Sequence, residues 1–142
     1  MSETTGKTSD RCVNLQMLRA SHRVMKAYDN AYRPHGIRAT QLPVLSLIGE
    51  FGPLSTRMIA QETDSERSVL SRKLAVMQKN DWIKEDDSSS SREKVFILTE
   101  TGRELLHKLA PVRAAVQGEI MSGFSPAEQQ LMLTLSERLQ NI

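Results

Sequence analysis

One stretch of the chain, residues 54–98, constrains the fold most, because it joins two helical patterns, a turn and two strand-like segments in one order. The second helical pattern covers about residues 66–80. In it Leu70, Leu74 and Met77 recur at helical spacing and therefore share one face. The opposite face carries short polar side chains, an alanine and cations, namely Ser68, Ser71, Arg72, Ala75 and Lys79. This pattern predicts a helix that is buried on one side and polar on the other.

Two short strands are predicted after this helix, at residues 82–86 and 94–98, because both segments are rich in β-branched and aromatic residues. Between them, residues 87–92 are mostly serine and predict a polar hairpin tip that carries Arg92. Two helices, a turn and a ribbon in this order predict a mainly α fold with a small β-wing, the winged helix-turn-helix.

The polar helix face is suited to a DNA major groove, where cations meet phosphates and short polar side chains approach base edges. Arg92 on the hairpin tip can reach an adjacent minor groove. The alternative is a solvated surface on a module that binds proteins. Residues 54–98 hold eight Lys or Arg and eight Asp or Glu, so their charges balance. A positive electrostatic field toward DNA must therefore come from where the cations lie on the surface. The order and spacing of the elements favour nucleic acid over the alternative.

Length and composition set the broad class. The chain of 142 residues with 39% hydrophobic residues fits one domain, residues 1–142. Residues 1–10 lack an apolar targeting segment, no later run is long enough to cross a membrane, and a single cysteine excludes an intrachain disulfide. We therefore expect a cytoplasmic protein with no membrane association.

The flanking segments predict further helices. Residues 11–33 carry two apolar faces, and residues 41–50 form a helix that Thr40 can cap. Thr99 is a predicted cap for a long helix, in which Pro111 predicts a kink or a break. A capping box at residues 125–128 predicts the last helix. Residues 11–33 and 100–142 exceed what residues 38–98 need for a core, so we interpret them as helices of a homodimer interface.

Several short motifs together resemble the MarR family of transcriptional regulators over nearly the whole chain. They are Gly36-Ile37 with Thr40-Gln41, Gly52-Pro53-Leu54-Ser55, Arg67-Ser68-Val69-Leu70-Ser71-Arg72 and Leu98-Thr99-Glu100-Thr101-Gly102-Arg103. The resemblance implies a homodimer whose two winged helices bind an inverted repeat in double-stranded DNA. It assigns recognition-helix contacts to Arg67, Ser68, Ser71 and Arg72 and a wing contact to Arg92. We add Lys79 and Lys94 to this predicted DNA-binding surface.

Three features of the sequence depart from the family pattern. Asp64 stands at the glycine of the turn between the two helices, and Asp81 stands at a glycine before the first wing strand. Aspartate tolerates a left-handed backbone better than most residues, so the fold should survive at some cost in stability. Ser90, Ser91 and Arg92 replace an Asp-Arg-Arg run, which predicts a less ordered wing and a weaker wing contact.

Two regulatory routes are open. Cys12 is a candidate redox residue, because a thiol near a helix N-terminus and beside Arg11 is able to react as a thiolate. The alternative, which we favour, is a small residue buried in the dimer interface. Family members often bind aromatic or phenolic ligands, and Arg19, His22, Tyr28 and Tyr32 are the candidate effector contacts.

No chemistry beyond binding is visible in the sequence. Three scattered histidines and one cysteine give no metal-ligand spacing, and there is no catalytic constellation or phosphate loop. We therefore predict no enzyme activity and no cofactor. The main hypothesis is a homodimeric DNA-binding regulator, expected to be a repressor that a small ligand or an oxidant releases. The alternative is a winged-helix interaction module without DNA binding.

Overall fold

Six α-helices and three short β-strands organise residues 11–87 and 92–142, which are the residues that the computed structural model describes. The helices are α1 (Val13–Tyr32), α2 (Leu42–Phe51), α3 (Thr56–Thr63), α4 (Arg67–Lys79), α5 (Glu100–Met121) and α6 (Pro126–Leu139). The strands are β1 (Leu54–Ser55), β2 (Ile83–Glu85) and β3 (Val95–Leu98). The predicted fold class, a mainly α winged helix-turn-helix, is confirmed.

Pro34 and Gly36 lie at the end of the first helix. α1 stops at Tyr32 and continues as a short 3-10 helix, Arg33–His35, in which Pro34 occupies an early position that needs no N–H partner. Gly36 then has φ of 73°, a left-handed conformation that glycine adopts without steric cost. The chain thereby turns from α1 toward the winged helix.

The start of α2 differs from the prediction. Thr40 does not cap this helix, because α2 begins at Leu42 and its N-cap residue is Gln41. The Gln41 Oε1 atom accepts a hydrogen bond of 2.8 Å from the N–H of Arg38. A local turn around Arg38 therefore starts the helix in place of a hydroxyl cap. The apolar residues on the inner face of α2 are buried: Leu42, Leu45 and Ile48.

The wing belongs to a three-stranded antiparallel sheet in the order β1-β3-β2. β2 and β3 are the predicted ribbon, with Lys84 opposite Ile97. The sequence does not predict β1, since a strand of two residues is too short to show alternation. Leu54 pairs with Phe96, so the segment before α3 is tied to the wing.

Predicted side-chain caps define the two C-terminal helices. The Oγ1 atom of Thr99 accepts a hydrogen bond of 3.0 Å from the N–H of Gly102 at the start of α5. Ser125 and Glu128 form the predicted reciprocal capping box at the start of α6.

The predicted break at Pro111 is wrong, because α5 runs through this residue without interruption. Leu109 and Val116, before and after the proline, are both buried. Packing on both sides of Pro111 holds the helix together despite the missing backbone donor, an example of tertiary contacts overriding local propensity.

The core lies among α2, α3, α4 and the sheet, and is completed by the inner parts of α1 and α5. Tyr32 of α1 and Leu109 of α5 are 2% and 1% exposed and join this core. By contrast, large apolar side chains on the outer parts of α1 and on α6 remain exposed: Val13, Met17, Leu18, Val24, Leu131, Leu133, Leu135 and Leu139. Across the described residues, no helix combines the length and apolar character needed to cross a bilayer.

Candidate nucleic-acid interface

α4 divides into the two faces that its sequence predicts. Leu70, Leu74 and Met77 are at most 2% exposed and pack into the core. The residues assigned to DNA contact on this helix are all exposed: Arg67, Ser68, Ser71, Arg72 and Lys79. The structure thus presents cations and hydroxyls on one continuous surface, and their role in binding DNA stays a prediction.

Asp64 sets the turn between α3 and α4. It has φ of 49° and ψ of 45°, and its N–H is directed to the carbonyl oxygens of Ala60 and Gln61. Asp81, before β2, also has a positive φ, of 61°. Both positions that depart from glycine therefore adopt the left-handed conformation that is expected of them.

A groove of about 310 Å³ lies between the start of α3, the start of α4 and the base of the wing. Its lining combines cations, hydroxyls and one acid: Thr56, Arg57, Arg67, Ser71, Glu93 and Lys94. Arg67 and Ser71 are one helical turn apart on the same side of α4. The groove therefore brings the predicted contacts Arg67 and Ser71 beside the predicted wing contact Lys94.

Two exposed ion pairs lie along this side of the wing. The Arg57 Nε atom is 3.8 Å from Glu93 Oε1, and the Lys94 Nζ atom is 3.5 Å from Glu85 Oε1. Arg92 is exposed nearby. Of the predicted hairpin tip, residues 87–92, the part at 88–91, which includes Ser90 and Ser91, lies outside the described residues.

A separate cavity of about 280 Å³ lies where α1, α2 and α5 meet. Tyr28 and Tyr32 line it, with their ring centroids 5.7 Å apart and their planes tilted by 49°. Ser46 and Arg113 supply polar groups to a lining that is otherwise apolar. Burial raises the pKa of Tyr32, and the proximity of Tyr28 adds to the rise, while Arg113 opposes it. The Tyr32 phenol therefore stays protonated at neutral pH.

Comparison with known proteins places this geometry in a family. Residues 35–93, which include the helix-turn-helix and the wing up to Glu93, match the model of the MarR family. Over 107 residues the chain is 26% identical to YkoM of Bacillus subtilis, an uncharacterized helix-turn-helix regulator, covering 75% of this chain and 70% of YkoM. The crystal structure of the transcriptional regulator MosR of M. tuberculosis superimposes with a TM-score of 0.78 at 27% identity, covering 94% of this chain and 98% of MosR. The matched region, residues 35–93, is a winged helix-turn-helix of the MarR family of transcriptional regulators.

Two further structures resemble this chain. MosR in complex with DNA matches with a TM-score of 0.76 at 28% identity, covering 92% of this chain and 98% of that one. BpsR of Bordetella bronchiseptica, whose DNA binding is regulated by 6-hydroxynicotinic acid, matches with a TM-score of 0.85 at 17% identity, covering 93% and 95% of the two chains. At that identity the likeness to BpsR shows the shared fold.

The structure brings the candidate effector residues only partly together. Tyr28 and Tyr32 line the cavity between α1, α2 and α5, whereas Arg19 and His22 are exposed closer to the start of α1 and are not part of its lining. Sequence reasoning missed Arg113, because it lies on α5, far from the tyrosines in sequence.

Cys12 is the N-cap residue of α1, and its side chain makes no capping hydrogen bond. The thiol is exposed in the described chain. Both interpretations of Cys12, a reactive thiol and a residue covered in a dimer interface, stay predictions. Within residues 11–87 and 92–142, no cluster of three or more His, Cys, Asp or Glu side chains is placed to hold a metal ion.

Sequence reasoning also missed Glu93 of the groove and two groove residues on α3, Thr56 and Arg57. Both follow the N-cap Ser55 in the first turn of α3, whose helical pattern is short. Arg57 carried one usable signal: it is a cation in a first turn, where the helix dipole favours acids. Lys73 on α4 is partly buried, and burial lowers its pKa, so it belongs to the edge of the exposed face.

Proposed function

We propose that this chain is the subunit of a homodimeric repressor that binds an inverted-repeat operator and releases it when a small aromatic or phenolic ligand, or an oxidant, acts on the dimer. The observation that carries the DNA-binding part is the exposed face of α4, with the wing cation Lys94 beside it across one groove. Phosphate contacts from such cations supply affinity, and the hydroxyls of Ser68 and Ser71 are short enough to approach base edges. That MosR forms a DNA complex supports the proposal.

Homodimer formation is supported by the exposed apolar side chains of α1 and α6. Val13, Met17 and Leu18 on α1 are between 48% and 65% exposed, and Leu131 and Leu133 on α6 are 55% and 49% exposed. Val13 and Met17 are one helical turn apart and share one apolar face of α1, and a monomer rarely leaves such a face uncovered. We assign residues 11–33 and 100–142 to the dimer region and residues 38–98 to DNA binding. A two-fold dimer would place its half-sites about one helical turn apart, roughly 34–36 Å.

Effector release is assigned to the cavity lined by Tyr28, Tyr32, Ser46 and Arg113. Two aromatic rings, a hydroxyl and a guanidinium suit an aromatic ring that carries a hydroxyl or carboxyl group. The cavity lies between α1 and α5 on one side and α2 on the other. A ligand there can therefore alter how the dimer region holds the winged helix. Regulation of BpsR by 6-hydroxynicotinic acid is consistent with this assignment.

The experiment is an anisotropy titration of the purified protein against labelled DNA from directly upstream of its own gene, repeated across salt concentrations. Binding through phosphate contacts weakens steeply as salt rises. Arg72→Ala should weaken binding about tenfold and reduce the salt slope by about 1. Arg103→Ala is the control, because Arg103 is an exposed arginine at the start of α5 and is outside the predicted face.

If Arg72→Ala binds as tightly as the parent, the assignment of the recognition face is wrong. If neither the upstream DNA nor any duplex selected from random sequence binds with salt dependence, the interaction module replaces the regulator. Release is tested in the same assay with 6-hydroxynicotinic acid or with brief peroxide treatment. Loss of the ligand response in Arg113→Ala supports the cavity, and loss of the peroxide response in Cys12→Ser supports the redox route.

A further inference from the structure

Arg57 stands apart from the residues that the sequence assigns to DNA contact. It is the second residue of α3 and is exposed, yet it lines the same groove as Arg67, Ser71 and Lys94. A cation in the first turn of a helix gains nothing from the helix dipole, which favours acids there. The helix dipole therefore does not explain an arginine at this position. The position of Arg57 in a groove lined by cations does explain it.

The partner of Arg57 in the described structure is a carboxylate of the wing. Arg57 Nε lies 3.8 Å from Glu93 Oε1, with 56% of the arginine side chain and 50% of the glutamate side chain exposed. Glu93 immediately precedes Lys94, and Lys94 is itself 3.5 Å from Glu85. Without DNA, the two cations on the wing side of the groove each form an ion pair with an acid: Arg57 with Glu93, and Lys94 with Glu85.

An exposed ion pair of this kind is easily exchanged. Water screens both charges, and such pairs contribute little to stability, so moving Arg57 away from Glu93 costs little. A DNA phosphate carries a full negative charge, and pairing it with a cation also releases condensed counterions. A phosphate that approaches the groove therefore competes well with the Glu93 carboxylate for Arg57.

We propose that Arg57 is a DNA phosphate contact and that Glu93 is its built-in competitor, which holds Arg57 in the free protein and lowers the affinity for DNA. The inference rests on the proposed DNA-binding function. It adds a contact from α3 to those of α4 and the wing. The inference also assigns a role to Glu93, the acid next to Arg92. Glu93 weakens DNA binding, because a phosphate of the duplex must first displace its carboxylate from Arg57.

The test compares Arg57→Ala, Glu93→Gln and the double variant with the parent on one duplex, by anisotropy over a range of salt concentrations. We expect Arg57→Ala to weaken binding about tenfold and to reduce the salt slope by about 1. Glu93→Gln should strengthen binding about threefold to tenfold, because the carboxylate no longer competes. In the Arg57→Ala background that gain should fall to about twofold or less, since only direct repulsion of the phosphate remains. Arg57→Lys should keep most of the parent affinity.

A different pattern would overturn the inference. The Arg57–Glu93 ion pair could instead serve only to hold the wing in position against α3. In that case both Arg57→Ala and Glu93→Gln weaken DNA binding, and the salt slope of Arg57→Ala equals that of the parent. Arg103→Ala is the matched control. The Arg103 Nε atom lies 3.9 Å from Glu100 Oε2 in an exposed ion pair, and neither residue lines the groove. Loss of binding in Arg72→Ala together with unchanged binding in Arg57→Ala rejects this inference and leaves the proposed function intact. Absence of any salt-dependent binding by the parent rejects both.

Discussion

Asp29 of α1 holds Arg38 with both carboxylate oxygens. The Arg38 Nε and Nη2 atoms donate to Asp29 Oδ1 and Oδ2 at 3.2 and 3.3 Å, and the N–H of Ala39 donates to Oδ1 at 2.8 Å. Arg38 also starts the turn that leads into α2. Asp29 thereby links α1 to the winged helix, because its carboxylate binds two consecutive residues, Arg38 and Ala39, of the segment that connects α1 to α2.

Replacing Asp29 should change stability and its pH dependence. The hydrogen bond from Arg38, followed by that from Ala39, lowers the pKa of Asp29 below its ordinary value. Because the folded pKa is lowered, the stabilisation is complete above the unfolded pKa, about 3.9, and is lost as the pH falls through the folded pKa. Asp29→Ala should lower the free energy of unfolding by about 1 kcal/mol at pH 7, since charged hydrogen bonds are lost.

Urea denaturation of the parent and of Asp29→Ala, at neutral pH and again at a pH below the unfolded pKa of about 3.9, measures this effect. The difference between the two proteins should shrink at the lower pH, because Asp29 takes up a proton more readily in the unfolded chain than in the folded protein. Glu137→Ala serves as the control, because Glu137 is an exposed acid on α6. An equal difference at both pH values would rule out the ionised carboxylate as the cause.

Asp64→Gly should stabilise the protein. Asp64 has φ of 49°, a left-handed conformation that costs an L-residue energy and glycine almost none. The larger backbone entropy of glycine in the unfolded chain offsets part of the gain, so we expect an increase of about 0.5 kcal/mol in the free energy of unfolding. Asp81→Gly should gain less, because the Asp81 carboxylate also accepts a hydrogen bond of 3.4 Å from Thr101. The urea denaturation midpoints of both variants, compared with that of the parent, measure these changes in stability. A lower midpoint for Asp64→Gly would contradict the inference that the left-handed conformation of Asp64 is strained.

Gly102→Ala should destabilise the fold strongly. A Cβ atom at Gly102 would overlap the carbonyl oxygen of Trp82, which is backbone and has no free rotation to escape. The first turn of α5 therefore has to move away from the residue before β2. We expect a loss of about 2 kcal/mol or more in thermal or urea unfolding. Gly118→Ala is the matched control, since nothing lies within 4 Å of a Cβ at that helical position. Equal stabilities of the two variants would refute this close approach.

Leu135→Glu should dissociate the proposed dimer without unfolding the chain. Leu135 on α6 is 44% exposed in the single chain, so a charge there is tolerated unless a second copy covers it. Sedimentation velocity should show a dimer for the parent and a monomer for the variant, and DNA affinity should fall with dimer loss. Gln130→Glu, at an exposed polar position of α6, is the control. A parent that sediments as a monomer would exclude the homodimer.

Local sequence determined the buried face of α4 and the starts of α5 and α6. Thr99 and Ser125 cap α5 and α6 as predicted, because a cap depends on residues within one turn. Asp64 and Asp81 take the left-handed conformation expected from their positions in the motif. The apolar spacing of α4 identified Leu70 as a core residue, since periodicity alone fixes which side of a helix is buried.

Only the tertiary structure decided the features that depend on distant parts of the chain. Thr40 has the chemistry of a cap, yet Asp29 of α1 binds Arg38, and the turn at Arg38 starts α2 one residue later. Pro111 has the chemistry of a helix break, yet packing on both sides keeps α5 intact. Arg57 meets Glu93, which is distant in sequence, only because β1 pairs with β3 and draws the wing beside α3. Sequence patterns report interactions within a few residues, whereas the free energy of such long-range contacts depends on how the assembled elements pack.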